Sequence, residues 1–132
     1  MTDRPKIADY MARNLVMLTP GMEINRALHL LLGHRISGAP VIDDSAQLVG
    51  VLSKKDCLRA ALNASYYQDW GDTVANYMST DVQTLEADLD IVAAAETFLQ
   101  SAYRRFPVTQ EGRLVGQISR ADVLRALAEH WG

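Results

Sequence analysis

The sequence predicts a mixed α+β fold in which two β-α-β-β-α repeats pack together about a pseudo-twofold axis. Three observations support this prediction. A seven-residue phrase occurs twice, as GVLSKKD (residues 50–56) and GQISRAD (residues 116–122). Apolar residues recur with a helical period in each half, and short β-prone runs separate these segments. A half-length of about 60 residues is only marginally stable by itself, so the halves are expected to share a core.

The internal repeat extends well beyond the phrase. Residues 7–45 align with residues 74–112, a shift of 67 positions. Residues 47–61 align with residues 113–127, a shift of 66 positions. Because 17 of the 54 aligned pairs are identical, both halves are expected to fold alike. The identities cluster in IADYM against VANYM, in APV against FPV, and in LVGVLSKKDCLRA against LVGQISRADVLRA. The predicted organisation is a tail (1–6), a first repeat (7–65), a connector (66–73) and a second repeat (74–130).

Each repeat is predicted to begin with a short strand, at residues 15–18 and 82–85, followed by a helix. The helix is indicated by apolar residues spaced i, i+3, i+4, i+7 and i+8, which fall on one face. The first set is Ile24, Ala27, Leu28, Leu31 and Leu32, and the second is Ile91, Ala94, Ala95, Phe98, Leu99 and Ala102.

Two strands and a second helix complete each repeat. The strands are predicted at APVI and LVGVL, and at FPVT and RLVGQI, with hairpin residues between them. Pro40 and Pro107 are placed at strand starts, where a missing N–H does least harm. The second helix is expected to bury the face formed by Cys57, Leu58, Ala61 and Leu62, matched by Val123, Leu124, Leu127 and Ala128.

Composition excludes several classes of function. A net charge of −3 gives no general attraction for nucleic acid or acidic membranes. The longest apolar run is too short to span a bilayer, and the amino terminus lacks a secretory signal, so a cytosolic location is expected. Cys57 is expected to be a small core residue, and the three histidines lack metal-ligand spacing. No catalytic motif is present, so the protein is not expected to be an enzyme.

The connector carries three aromatic side chains, Tyr66, Tyr67 and Trp70. Rings of this kind pack an apolar body and keep a polar edge in water. Two interpretations stay open: the rings cover the joint between the repeats, or they form a dimer contact.

The repeated phrase falls at the turn from the last strand into the last helix. Ser53 and Ser119 are suited to cap that helix, and Asp56 and Asp122 complete a capping box. A functional role adds to this structural one. A helix amino terminus attracts phosphate, a serine hydroxyl can donate to it, and a carboxylate one turn along can accept from ribose hydroxyls. The phrase therefore indicates a nucleotide site.

Taken together, these motifs resemble a tandem pair of cystathionine-β-synthase (CBS) domains, also called a Bateman module, over roughly residues 7–128. The resemblance is carried by DYM and NYM, by ISGAPV and YRRFPV, and by the two copies of G-x-x-S-x-x-D. It implies β-α-β-β-α repeats with clefts between them and a homodimer shaped as a flat disc. It also implies binding of adenosine compounds, whose occupancy changes the activity of another protein.

The resemblance also implies a set of ligand-binding residues. The ribose aspartate falls on Asp56 and Asp122, and the nearby hydroxyl on Ser53 and Ser119. The residues around each P-V pair line the adenine and phosphate region. Ser79 occupies a polar position after the methionine of NYM, and its counterpart Ala12 departs from the family pattern. The full set is Ile36, Ser37, Gly38, Ala39, Pro40, Ser53, Lys54, Asp56, Ser79, Tyr103, Arg104, Arg105, Phe106, Pro107, Ser119, Arg120 and Asp122.

The clefts of related modules mix the early strands of one repeat with the S-x-x-D of the other. On that pattern, one cleft would combine Ser79, Tyr103, Arg104 and Arg105 with Ser53 and Asp56. The opposite cleft would combine Ala12, Ile36 and Ser37 with Ser119 and Asp122, where Arg120 could compensate for the missing arginines. Because arginine binds phosphate with a planar fork, the arginine-bearing cleft is hypothesised to be the main site. The alternative is that both arginines are solvated surface charges.

Three hypotheses on function follow. The first is a regulatory module that binds AMP, ADP or ATP, with Mg²⁺ accompanying ATP as a further candidate, and that signals to a separate protein. No catalytic cofactor, nucleic acid or membrane partner is expected. The second is a structural dimerisation module with vestigial clefts. The third is a binder of another adenosyl compound, such as S-adenosylmethionine or NAD.

Overall fold

The computed structural model of the chain describes residues 4–68 and 71–131, so Trp70 lies outside the described residues. The chain forms two compact units. The Asp56 unit comprises residues 16–68 and 71–82, and the Asp122 unit comprises residues 4–15 together with residues 83–131. Helices and strands are mixed in both units, which confirms the predicted α+β class.

The Asp56 unit contains two helices and a two-stranded antiparallel sheet. Strands β1 and β2 pair from Gly38 opposite Ser53 to Ile42 opposite Leu48, with a bulge after Val41. A 3-10 turn spans Val74–Asn76. The elements in chain order are α1 (Ile24–Gly33), β1 (Gly38–Ile42), β2 (Leu48–Ser53) and α2 (Lys54–Tyr67).

The Asp122 unit repeats this arrangement and adds a third strand. The parallel strand β3 pairs with β4, which pairs antiparallel with β5, again with a bulge after Val108. A 3-10 turn spans Ile7–Asp9. The elements are β3 (Leu85–Glu86), α3 (Ile91–Leu99), β4 (Arg105–Gln110), β5 (Arg113–Ser119) and α4 (Arg120–Trp131).

The first predicted strand of each repeat is shorter than expected. Instead of a strand at residues 15–18, only Leu18 forms a bridge, to Val41. Strand β3 is found at Leu85–Glu86 rather than at 82–85. Pro20 explains the difference between the repeats, because it has no N–H to continue the ladder. Its counterpart Ala87 donates its N–H to the carbonyl of Thr109 at 3.0 Å.

The predicted core face of the second helices is correct for Cys57 and Val123 and wrong for three of its leucines. Helix α2 buries Cys57, Ala60 and Ala64, and helix α4 buries Val123 and Ala126. The larger side chains assigned to the core are exposed, namely Leu58 (69%), Leu62 (52%) and Leu124 (65%), together with Ala128. Small residues face the sheet because the helix lies close to it, so the leucines are left on the outer face. Leu32, Leu99 and Ala102 of the first-helix sets are also exposed.

Short segments on the amino-terminal side of each repeat pack in the unit of the other repeat. In the Asp122 unit, Ile7 donates its N–H to the carbonyl of Leu89 at 2.9 Å. In the Asp56 unit, Val74 donates to the carbonyl of Met22 at 2.9 Å. Ile7 and Val74 are both fully buried. The 3-10 turn of the first repeat therefore completes the core of the Asp122 unit. The 3-10 turn of the second repeat completes the core of the Asp56 unit.

Cys57 is expected to be chemically inert in the folded protein. Its side chain is 1% exposed, and burial raises the pKa of its thiol, to which the nearby Asp56 carboxylate adds. Because the thiolate is the reactive form, Ellman's reagent should react with native protein far more slowly than with protein unfolded in urea. Equal rates would contradict the packing of α2 described above.

Candidate functional site

The turn between β2 and α2 is a complete capping box. The N–H of Ser53 donates to Asp56 Oδ2 at 2.9 Å, and the N–H of Asp56 donates to Ser53 Oγ at 3.1 Å. The Asp56 side chain is 14% exposed, so its carboxylate is fixed at the edge of the unit. The predicted cap at this helix is confirmed.

The turn between β5 and α4 has the same construction. The N–H of Ser119 donates to Asp122 Oδ2 at 2.9 Å, and the N–H of Asp122 donates to Ser119 Oγ at 3.2 Å. The Asp122 side chain is 18% exposed. In each turn the serine oxygen accepts a hydrogen bond, which leaves its hydroxyl hydrogen available to a ligand.

The strand that contains each P-V pair begins directly against this turn. Gly38 pairs with Ser53, and the N–H of Lys54 donates to the carbonyl of Ser37 at 2.9 Å. The second repeat matches it, since Arg105 pairs with Ser119. The N–H of Arg120 likewise donates to the carbonyl of Arg104 at 3.1 Å. In each repeat, the residues before the P-V pair therefore lie next to the S-x-x-D phrase. Together they form one continuous edge of the candidate site.

The glycine of each repeated phrase leaves room for a third segment of the chain to approach the strand. A Cβ on Gly50 would lie 2.7 Å from Met78 Sδ and 2.8 Å from the carbonyl oxygen of Ser79. A Cβ on Gly116 would lie 2.6 Å from Met11 Sδ and 2.8 Å from the carbonyl oxygen of Ala12. The absence of a side chain lets Ser79 pair with Val51, and Ala12 with Gln117. Val51 and Gln117 each lie two residues before the capping serine that ends their strand.

An arginine three residues after each aspartate joins the site, in addition to the predicted site residues. Arg59 forms an ion pair with Asp56 at 2.6 Å, and Arg125 forms one with Asp122 at 3.2 Å. The signal was present, because the motif D-x-L-R-A occurs in both copies of the repeat. The motif by itself indicates the repeat and does not indicate a role in a site.

The structure divides the predicted site residues into two groups. The Asp56 unit holds Ile36, Ser37, Gly38, Ala39, Pro40, Ser53, Lys54, Asp56 and Ser79. The Asp122 unit holds Ala12, Tyr103, Arg104, Arg105, Phe106, Pro107, Ser119, Arg120 and Asp122. Ser79 lies in the unit of Asp56, with which the prediction groups it, and the arginine pair lies in the unit of Asp122; which residues share a cleft stays a prediction.

The two groups differ in charge. The turn between β5 and α4 is called the Asp122 turn, and the turn between β2 and α2 the Asp56 turn. Arg104, Arg105 and Arg120 are all exposed near the Asp122 turn. The equivalent positions in the Asp56 unit are Ser37, Gly38 and Lys54. Tyr103 is 54% exposed and meets the ring of Phe106 edge-on at 5.5 Å between centroids. The side chain of Arg120 donates from Nη2 to the carbonyl of Ser101 at 3.5 Å, and the backbones of Arg104 and Arg105 adjoin the turn. An exposed aromatic ring and arginines are residue types that suit a planar base joined to a phosphate.

Two classes of site are not found in the part of the chain that the structure describes. No group of three or more His, Cys, Asp or Glu side chains there is arranged to hold a metal ion. Among the same residues, no helix combines the length and apolar character needed to cross a bilayer.

Comparison with known proteins identifies the class to which this fold and these turns belong. The CBS domain family matches the chain twice, at residues 7–63 and 74–129. The chain belongs to the CBS domain family and carries a tandem pair of these domains, as its sequence motifs predicted.

Relatives of this class include proteins from an archaeon and a plant. An uncharacterized protein of Methanocaldococcus jannaschii is 29% identical over 125 residues, covering 95% of this chain and 44% of that protein. The chloroplastic CBS domain-containing protein CBSX2 of Arabidopsis thaliana is 28% identical over 148 residues, covering 91% of this chain and 62% of CBSX2. The chain thus spans less than two thirds of both relatives.

A solved structure of CBSX2 gives the structural comparison. The crystal structure of CBSX2 in complex with AMP matches with a TM-score of 0.79 and 31% sequence identity. It covers 94% of this chain and 96% of that chain. The same fold therefore holds AMP in that protein.

Proposed function

We propose that the chain is a non-catalytic regulatory module that binds an adenine nucleotide, foremost AMP, and signals its occupancy to a partner protein. The observation that carries this proposal is the pair of matching serine-capped turns, each with a carboxylate at the edge of its unit. The AMP complex of CBSX2 supports the same ligand class. The predicted cytosolic location remains a prediction, which subcellular fractionation of the native source tests.

The Asp122 turn can bind a nucleotide without disturbing its own cap. An ionised carboxylate offers about four acceptor positions on its two oxygens. Ser119 and Arg125 use one position on each oxygen, which leaves capacity for the two hydroxyls of a ribose. The Ser119 hydroxyl, Arg104 and Arg105 would then donate to the phosphate.

Thermal-shift measurements with AMP, ADP, ATP, S-adenosylmethionine and NAD test the proposed function. A ligand present at a hundred times its dissociation constant stabilises the folded state by about 2.7 kcal/mol. We expect the melting temperature to rise with AMP. No shift with any compound would favour a structural dimerisation module, and a shift with S-adenosylmethionine alone would favour a sulfonium ligand.

We further propose that the arginine pair makes the Asp122 turn the main phosphate site. Replacing Arg104 and Arg105 together with alanine should weaken AMP binding by tenfold or more, because tenfold is about 1.4 kcal/mol and one hydrogen bond to a charged group contributes about 1.5–3 kcal/mol. Adenosine, which has no phosphate, is the matched control and should bind both proteins alike. Calorimetric titration measures both affinities, and an unchanged affinity for AMP would show that the arginines are surface charge.

A homodimer is the proposed assembly. Helix α2 exposes Leu58, Leu62 and Tyr66 at i, i+4 and i+8, which form one apolar stripe. An apolar groove of about 390 Å³ lies between α3 and α4 in the other unit, beside Leu99 and Leu124. Exposed apolar surface of this kind marks association sites, and a twofold dimer pairs the same patch on both copies.

Light scattering after size exclusion tests the dimer. A charge in the middle of the stripe, Leu62→Glu, should convert the dimer to a monomer, because an unpaired carboxylate would be buried at the contact. The control Ser45→Glu adds the same charge in the exposed β1–β2 loop and should leave the dimer intact. A wild-type protein that is monomeric at high concentration would contradict this assembly.

A further inference from the structure

Arg59 and Arg125 make the same pair of contacts in the two units. Arg59 Nη2 donates to Asp56 Oδ1 at 2.6 Å and to the carbonyl of Tyr77 at 3.2 Å. Arg125 Nη1 donates to Asp122 Oδ1 at 3.2 Å, and its Nη2 donates to the carbonyl of Tyr10 at 3.2 Å. Each guanidinium therefore joins the site carboxylate to the end of a 3-10 turn.

These arginines complete the orientation of the carboxylates. Oδ2 of each aspartate accepts the N–H of the capping serine, and Oδ1 accepts the arginine. With one donor on each oxygen, rotation of the carboxylate plane would break at least one hydrogen bond, so these contacts favour one direction for its remaining acceptor positions. The planar fork of arginine suits this task, because it spans two acceptors in a set geometry.

Stability alone does not account for the repeated arginine. The arginine side chains are 59% and 51% exposed, and ion pairs with exposed partners contribute little to folding. The capping box already holds each aspartate through two hydrogen bonds. What the arginine adds is a link between the carboxylate and a second segment of the chain.

That second segment is anchored by its tyrosine in both units. Asn63 Nδ2 donates to Tyr77 Oη at 2.9 Å, and Tyr10 Oη donates to Glu129 Oε2 at 2.6 Å. Asn63 and Glu129 are 66 positions apart, as are the two arginines, so the anchor is part of the repeat. The hydrogen bond to Glu129 raises the pKa of Tyr10. The tyrosine of DYM and NYM is thus clamped at both its carbonyl and its hydroxyl.

We propose that Arg59 and Arg125 are positioning residues that orient Asp56 and Asp122 toward the ribose hydroxyls of the bound nucleotide and tie each carboxylate to the tyrosine of its 3-10 turn. This inference rests on the proposed function. The arginines do not themselves contact ligand. The arginines are expected to affect the preference for a sugar with both hydroxyls, because only the ribose hydroxyls donate hydrogen bonds to the oriented carboxylate.

The test compares AMP with 2′,3′-dideoxy-AMP, which lacks both ribose hydroxyls, by calorimetric titration. Wild-type protein should bind AMP at least tenfold more tightly, as expected for hydrogen bonds to a charged acceptor. In Arg125→Ala this preference should fall below about threefold. The matched control Arg113→Ala removes an exposed arginine from the other end of β5, about 20 Å along the strand. It should keep the wild-type preference.

The possible results are separable. A lower affinity of Arg125→Ala for both nucleotides by the same factor, with the preference intact, would mean a purely structural role and overturn the inference. Wild-type protein that binds neither nucleotide would overturn the proposed function and the inference with it. Urea unfolding of Arg125→Ala checks that the variant is folded. If Arg125→Ala does not fold, Arg125→Lys applies the same comparison at the same turn, because lysine keeps the charge and lacks the planar fork.

Discussion

Replacing Gly116 with alanine is expected to lower the free energy of unfolding by about 1–3 kcal/mol, as overpacking of a tight site does. The new Cβ would lie 2.8 Å from the carbonyl oxygen of Ala12. That oxygen cannot retreat freely, because Ala12 and Gln117 exchange two backbone hydrogen bonds at 2.8 and 2.9 Å. Gly50→Ala should behave alike, since its Cβ would meet the carbonyl oxygen of Ser79 at the same distance.

Urea unfolding followed by circular dichroism measures this effect. Gly33→Ala is the matched control, because Gly33 ends helix α1 and a Cβ there meets nothing within 4 Å. Alanine in a helix is favoured over glycine by about 0.5–1 kcal/mol, so this variant should be as stable as the wild type or more so. A Gly116→Ala variant with wild-type stability would contradict the close approach of the Ala12 segment.

Replacing Asp122 with asparagine is expected to weaken AMP binding by about ten- to a hundredfold. Hydrogen bonds to a charged group are worth about 1.5–3 kcal/mol, and 1.4 kcal/mol corresponds to a factor of ten. Asparagine keeps an oxygen that can accept the N–H of Ser119, so the helix cap is preserved. The loss should therefore appear in affinity and not in folding.

The equivalent variant Asp56→Asn separates the two turns. We expect it to reduce AMP affinity less, because the turn of the Asp56 unit lacks the counterparts of Arg104 and Arg105. Calorimetric titration of both variants gives the comparison, with urea unfolding as the check on folding. An Asp122→Asn variant that binds AMP as tightly as the wild type would remove the basis for the proposed site.

Local sequence patterns predicted the elements that depend on local chemistry. The caps at Ser53 and Ser119 follow from a rule that spans four residues, and the structure contains both hydrogen bonds of each box. The helix starting at Ile24 and the one starting at Ile91 follow from periodicity alone. The family followed from motifs that recur at a fixed spacing in both halves.

Features set by distant contacts were not predictable in the same way. Leu58 and Leu62 have the periodicity of core residues, but the sheet leaves room only for Cys57, Ala60 and Ala64 beneath α2. A hydrophobic pattern cannot distinguish the face toward the sheet from a face that is apolar and exposed. The unit that holds Ser79, and the unit that holds Arg104 and Arg105, likewise follow from no local pattern.

A crystal structure of the protein grown with AMP tests the central claim most directly. We expect both ribose hydroxyls of AMP to donate to the Asp122 carboxylate, with the phosphate held by the Ser119 hydroxyl and by the guanidinium groups of Arg104 and Arg105. Asp122 should keep its bonds to Ser119 and Arg125. AMP bound at a place away from both serine-capped turns, or turns that stay empty at saturating AMP, would contradict it.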